Sequence, residues 1–229
     1  MSEFNPTDIQ MLKRWDTPTI CNALELVLPE RRGFGFTIDP FVCLNPSLAP
    51  IVGYARTAQI RAASPPAETA GDRISYYEYM AKPPRPTIVV IEDLDLKPGI
   101  GAFWGEVHTT VHLGLGAEGV ITNGAIRDLP DCMNGFQMLG GMVNPSHAFA
   151  NPVGVGMPVS VHGMQVIHND IIHADQHGAV MIPYEAIKKL PEAVKLVTRR
   201  EAVILEAARK PDFNITKLKE ALLEAKDIH

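Results

Sequence analysis

Residues Gly101–Asp131 read GAFWGEVHTTVHLGLGAEGVITNGAIRDLPD, and the order of features in this stretch decides the fold. Gly101 and Gly105 flank an apolar Ala102-Phe103-Trp104. The spacing of Val107, Val111 and Leu115 predicts a helix over Glu106–Leu115. The apolar run Gly119–Thr122 reads as a strand and Asn123-Gly124 as a turn. Arg127 and Asp128 follow, with Asp131 three residues on.

The residue types carry a chemistry. Asp128 stands just after a strand and a turn, at an expected first helical turn. Mg²⁺ or Mn²⁺ takes oxygen ligands and keeps several waters, so one or two carboxylates suffice to hold it. Arg127 offers a planar fork of donors for a substrate carboxylate or an enolate oxygen. Glu106 and Asp131 are placed to hold metal-bound water by hydrogen bonds. Backbone N–H groups after Gly105, at a loop-to-helix junction, can cradle an anion. Together these features describe a site for a small 2-oxo acid. From the residues alone, an N-capping Asp128 beside a surface Arg127 is the competing reading.

Working outward, Ile51–Ile60 and Thr87–Ile91 read as strands, with Gly53 marking a bulge or a close backbone approach. Arg56 and Arg61 are expected as solvated or paired surface groups. Two short helices are predicted over residues 7–28: Thr7-x-x-Gln10 has the form of a capping box, and Thr17-Pro18 opens the second. Asp72–Ala81 reads as a helix, and Phe136–Leu139 as a further strand. Val159–Val161, Met164–Ile167, Ile171-Ile172 and Ala179–Pro183 form a run of short strands that suggests a compact, barrel-like or β/β/α core. From Tyr184 the composition turns charged and helical. Pro191 starts a long helix, and Asn214 caps a last one. The expected division is therefore a catalytic domain over 1–183 and a helical extension over 184–229.

Composition narrows the class. The chain has 229 residues, 46% apolar and 21% charged, which suits one globular domain with an appendage. From Glu185 onward there are ten Lys and Arg against eight Asp and Glu, leaving eleven against eighteen before it. An acidic body argues against a nucleic-acid groove. Three widely spaced cysteines, Cys21, Cys43 and Cys132, predict a reducing, cytoplasmic setting rather than a disulfide framework. MSEFNPTDIQ has no signal-peptide pattern, and no apolar run approaches a membrane span of about 20 residues. His108 and His112 in HTTVH resemble the zinc-protease HExxH pattern but lack its Glu. His147 lies in a Gly- and Pro-rich loop with no evident role.

The run Trp104-Gly105-Glu106 followed by GVITNGAIRDLPD resembles the class II pyruvate aldolases that cleave 4-hydroxy-4-methyl-2-oxoglutarate. That family includes proteins named as regulators of ribonuclease E activity. Its signature is a glycine and an acidic residue, a long spacer, then Arg-Asp-x-x-Glu/Asp, matched here by Gly105, Glu106, Arg127, Asp128 and Asp131. The likeness runs from Gly53 to Pro183 and includes MPVSVHGMQVIHNDIIHADQHGAVMIP. The chain departs from the family at Asn123, where Asp is usual, and in His108, His112, His162 and His173.

The resemblance implies an α/β fold with a swivelling β/β/α-like core, a short-strand barrel-like sheet and C-terminal helices. It implies a homotrimer or hexamer with sites at subunit interfaces, the helical extension packing on its own core or a neighbouring subunit. It implies a divalent-metal-dependent lyase on 4-hydroxy-2-oxo acids, with oxaloacetate decarboxylation as a side activity. Arg127 and Glu106 would be catalytic. Gly105, Glu106, Val107, His108 and Arg127 would bind substrate. Asp128 would ligate Mg²⁺ or Mn²⁺ directly, and Glu106 and Asp131 through water. Two other classes remain: a non-catalytic protein that masks a ribonuclease, and a methyltransferase. For the last, no glycine-rich nucleotide loop follows a first strand.

Overall fold

A computed structural model describes residues 6–66 and 73–229. In chain order the elements are α1 (Pro6–Leu12), α2 (Thr17–Val27), β1 (Val42–Cys43), β2 (Ile51–Arg61), α3 (Arg73–Met80), β3 (Thr87–Asp93) and β4 (Ala102–Trp104). Then come α4 (Glu106–Gly114), β5 (Ala117–Thr122), β6 (Ala125–Ile126), β7 (Gln137–Gly140), β8 (Met142–Val143) and β9 (Asn151–Val155). The chain ends with β10 (Val159–Val161), β11 (Met164–Val166), β12 (Ile171–Asp175), β13 (Gly178–Ile182), α5 (Leu190–Ala208) and α6 (Ile215–Asp227). Asp72, the expected start of the third helix, lies outside the described residues.

The chain divides into two compact units. One takes the residues up to Thr17 and Phe34–Tyr184; the other takes Pro18–Gly33 and Glu185–His229. The first is the α/β core. Its main sheet runs β1-β7-β5-β3-β2-β12-β13, with β9 added on β2. The inner pairs β2–β3, β3–β5 and β5–β7 are parallel. Inner parallel strands are covered on both faces, which is why β3 reads as an unbroken apolar run over Ile88–Ile91. Alternate residues of β3 serve different cores. Val89 and Ile91 pack with Phe103, Trp104, Tyr76 and Phe136, whereas Ile88 and Val90 pack with Val159, Val161, Met164 and Val166 of the β10–β11 hairpin.

Gly53 marks a close approach: a Cβ there would meet the Pro86 carbonyl oxygen at 2.7 Å. Arg56, expected at the surface, is fully buried. It lies on an inner strand whose side chains are covered, and its guanidinium finds acceptors that no local pattern reveals. Nη1 donates to Asn169 Oδ1 (2.7 Å) and the Ala55 carbonyl (3.2 Å); Nη2 donates to the carbonyls of Lys82 (2.7 Å) and Pro84 (3.0 Å).

The second unit contains the C-terminal helices. Asn214 caps α6 as expected, its side chain accepting from the amides of Thr216 and Lys217. Among the described residues no helix is long and apolar enough to cross a membrane.

Candidate active site

The site is placed by the ends of parallel strands. β3 and β5 run side by side and stop at Asp93 and Thr122. Asn123 ties the two ends together. Its Oδ1 accepts from the Asp93 amide (2.8 Å) and its Nδ2 donates to the Asp93 carbonyl (3.1 Å). The Gly124 amide then donates to Thr122 Oγ1, and the chain enters β6, which pairs in parallel with β4. The Arg127 amide donates to the Trp104 carbonyl at 2.9 Å. Gly105 and Arg127 therefore emerge together, just past the carboxyl ends of neighbouring parallel strands. Ligand sites of α/β proteins concentrate at such edges.

The contact there is close. A Cβ on Gly105 would stand 2.4 Å from Asp128 Oδ2 and 3.1 Å from Arg127 Cγ. Gly105 has extended backbone angles open to any residue, so what a side chain there would disturb is the placement of the Asp128 carboxylate and the Arg127 stem. The structure thus packs Gly105, Arg127 and Asp128 against one another, although 22 and more residues of sequence separate the first from the others.

Asp128 does not open a helix. Its φ is +53°, in the left-handed region, where Asp is among the better tolerated side chains. Its carbonyl accepts from the amides of Asp131 (2.9 Å) and Cys132 (3.1 Å), closing a tight turn over Leu129–Asp131. No helix follows this turn, so Asp128 neither starts nor caps one.

Arg127 Nε lies 3.3 Å from Asp128 Oδ2, both side chains being partly exposed. An ion pair in that setting contributes about 0–1 kcal/mol at most, so stability does not explain it. Among the described residues the Nη nitrogens of Arg127 have no hydrogen-bond partner, which leaves that edge of the fork available.

α4 opens at the same spot. The Thr109 amide donates to the Gly105 carbonyl (3.0 Å), the first bond of the helix. The amides of Glu106, Val107 and His108 precede it and have no acceptor within the helix. Glu106 and Val107 are exposed, as is Asp131 on the facing turn. Val107 is 66% exposed at the helix mouth, and the buried residues of α4 are His108, Thr109 and His112.

The histidines are core groups. His108 packs its ring 4.1 Å from Phe103 and stacks on His112 at 5.6 Å, with Trp104 and Tyr77 close by. Its Nδ1 has no hydrogen-bond partner among the described residues. Burial, and then the neighbouring His112, pull its pKa down to about 3. His112 Nδ1 donates to the His108 carbonyl (2.7 Å), so its Nε2 accepts from the Tyr76 hydroxyl (2.9 Å); burial lowers its pKa to about 4. Both are neutral at physiological pH. The side chain of His108 therefore faces the aromatic core, and its amide belongs to the helix mouth. His162 Nε2 donates to the Thr122 carbonyl, and His173 Nε2 to the carbonyls of Leu12 and Trp15. His147 is half-buried on its loop, its Nδ1 3.3 Å from the Ala148 carbonyl.

Among the described residues no three His, Cys, Asp or Glu side chains converge on one point. The mouth offers a different donor set: a single carboxylate, Asp128, against a glycine that leaves it room, with Glu106 and Asp131 on the rim. That set fits Mg²⁺ or Mn²⁺, which takes one protein carboxylate, waters and substrate oxygens. Sequence reasoning did not single out Asn123 as the tie that places the site. Its signal was its position at a strand end, next to Gly124.

A family model described as RraA-like, Aldolase/RraA, matches residues 17–181. A search of curated proteins found no match. Several solved structures share the fold. An uncharacterized protein from Pseudomonas syringae aligns over 97% of this chain and 96% of its own, at 18% identity and a TM-score of 0.73. Streptomyces coelicolor RraAS2, described as an unusual member of the RNase ES inhibitor RraA protein family, aligns over 92% and 100%, at 20% identity and a TM-score of 0.68. The RNA-processing inhibitor RraA from Thermus thermophilus aligns over 70% and 90%, at 18% identity and a TM-score of 0.51.

Proposed function

Because the chain belongs to the RraA-like (Aldolase/RraA) family, we propose that it is a lyase that cleaves 4-hydroxy-2-oxo acids to pyruvate and a carbonyl product, with oxaloacetate decarboxylation as a side activity. The observation that carries this reading is the contact of Gly105 with Arg127 and Asp128. A protein that only masks a ribonuclease has no use for a cramped, weakly stabilising Arg-Asp pair facing bare helix amides.

Both reactions break a carbon–carbon bond and leave its electrons on pyruvate enolate. The amides of Glu106, Val107 and His108 meet the substrate carboxylate at the positive end of α4. Arg127 sets its open edge against the 2-oxo oxygen, where negative charge grows as the bond breaks. Asp128 would hold Mg²⁺ or Mn²⁺, with Glu106 and Asp131 beside its water ligands. When bound, that ion supplies Lewis-acid polarisation of the substrate carbonyl. Glu106 is the base for the 4-hydroxyl proton of the aldol substrate, a task that decarboxylation does not require. Assembly as a homotrimer or hexamer with sites at subunit interfaces, in the cytoplasm, belongs to the same reading.

The test is pyruvate release, followed by a coupled assay, from a panel of 4-hydroxy-2-oxo acids and from oxaloacetate, with Mg²⁺, with Mn²⁺ and with chelator. Turnover that needs the metal and disappears in Asp128→Ala is expected. No turnover of any substrate would overturn the reading, and full turnover after chelation would overturn the metal assignment.

A further inference from the structure

The two halves of the mouth come from different parts of the chain. One is the first turn of α4, with Glu106 and the open amides. The other is the turn from Arg127 to Met133, with Asp128 and Asp131. One fully buried hydroxyl connects them. Thr109 Oγ1 donates to the Glu106 carbonyl (2.9 Å) and accepts from the Met133 amide (3.0 Å). Met133 itself is 41% exposed. Next to it the Cys132 thiol donates to the Asp128 carbonyl at 3.2 Å. The turn is thus fastened at its far end to the same peptide that carries Glu106.

We propose that Thr109 is a positioning residue. Its hydroxyl sets the spacing between the carbonyl of Glu106 and the end of the Asp128 turn, and so the separation of the helix mouth from the Arg127-Asp128 pair. The alternative is that Thr109 merely fills the core. The neighbouring Thr110 separates the two. Its Oγ1 also donates to the Glu106 carbonyl (2.9 Å), but Thr110 is exposed and makes no bond to the turn. The kinetic consequence rests on the lyase reading above; the geometric one does not.

The experiment compares wild type with Thr109→Val, which keeps the shape and loses the hydroxyl, Thr109→Ser, which keeps the hydroxyl, and Thr110→Val. Amide hydrogen exchange reads the clamp without any substrate. In wild type the Met133 amide should be protected despite its exposed side chain. In Thr109→Val its exchange should rise about tenfold, the effect of losing one buried hydrogen bond, while Thr109→Ser and Thr110→Val stay near wild type. Steady-state kinetics on oxaloacetate reads the positioning. Thr109→Val should lower kcat by roughly 10–100-fold, since a small misplacement of reacting groups costs that much, with KM little changed. Thr109→Ser should restore kcat.

A wild-type Met133 amide that exchanges as freely as an unprotected one overturns the clamp, whether or not any variant folds. Increased exchange in Thr109→Val with kcat unchanged overturns the positioning role. An equal loss in Thr110→Val does the same. If wild type turns over nothing, the lyase reading fails, and the exchange data alone decide the clamp.

Discussion

Two arginines of the first unit show how differently one side chain can be used. Arg56 is fully buried on β2, and its two Nη nitrogens donate to three carbonyls and an Asn side chain. Arg127 is partly exposed past the end of β6, and its Nε reaches one carboxylate while its Nη atoms have no partner among the described residues. A buried guanidinium with that many acceptors holds segments together. An exposed one, held by its own neighbour and left open at one edge, is arranged to receive something. The difference separates structural polar groups from reactive ones better than residue type does.

The comparison breaks first at Arg127. Arg127→Lys keeps the charge and loses the fork. It should slow aldol cleavage and oxaloacetate decarboxylation alike by roughly 10²–10³, about 3–4 kcal/mol of barrier, with the melting temperature unchanged. Oxalate, planar and dianionic like the enolate, should inhibit wild type competitively in the presence of Mg²⁺ and bind the variant more weakly. Steady-state kinetics on both substrates decide the matter. A variant slow on only one of them would make Arg127 a contact to the substrate tail.

Arg56 should give the opposite pattern. Arg56→Met leaves the carbonyls of Lys82 and Pro84 and the Asn169 side chain without their donor. The cost should be about 3 kcal/mol of stability, because buried acceptors are stranded. Denaturant unfolding would show it, while kcat of the folded protein on oxaloacetate stays at the wild-type value. If stability is unchanged, water replaces the guanidinium and Arg56 is no staple.

These two residues also mark what the sequence makes legible. Strands β3 and β5 are readable because an inner parallel strand declares itself locally, as a run of apolar side chains. The signature residues Gly105, Arg127 and Asp128 are readable as a set, and the fold does bring them together. Arg56 is not readable. Its acceptors lie on Lys82, Pro84 and Asn169, at sequence distances that no periodicity connects. The turn at Asp128 escapes for a related reason. A left-handed Asp and a helix-starting Asp look the same in sequence. In α4 the valine spacing predicts the helix but says nothing of its buried face, where the aromatic core accepts neutral histidines.

Those histidines give the next test. His108 and His112 are neutral in the folded protein, with pKa values pulled down to about 3 and about 4, while an unfolded His titrates near 6.5. Between those values the unfolded chain binds more protons, so stability is fully present above about pH 6.5 and falls as pH drops toward the folded values. At pH 5 each histidine should remove roughly 2 kcal/mol. Unfolding free energies measured from pH 7 to pH 5 in His112→Phe should show a shallower fall than in wild type. An identical slope would mean that His112 is solvated and exchanges protons freely.

The smallest effect is expected at Asn123, whose side chain, like most of the bonds of Arg56, serves backbone groups. Its amide both accepts from the Asp93 N–H and donates to the Asp93 carbonyl, a reciprocal pair that a carboxylate cannot reproduce. Asn123→Asp puts an oxygen in place of the donor, facing a carbonyl oxygen and close to the buried Asp93 carboxyl, itself raised by burial. The cost should be about 1 kcal/mol near neutral pH. It should also depend on pH in a defined direction. A protonated carboxyl regains a donor toward the Asp93 carbonyl, so the folded state favours the proton and raises the pKa of the new group above its unfolded value. The variant is then closest to wild type below the unfolded pKa, near 4, and loses stability relative to wild type as pH rises through the folded one. That is opposite in sign to the histidine effect, so the difference in unfolding free energy between variant and wild type isolates it. Since the tie sets where β5 delivers the chain into β6, kcat on oxaloacetate should fall in parallel with any loosening of the turn. A variant as stable as wild type at pH 7.5 and equally active would show that either residue type fills this position, and that the strand ends are held by the sheet rather than by the side chain.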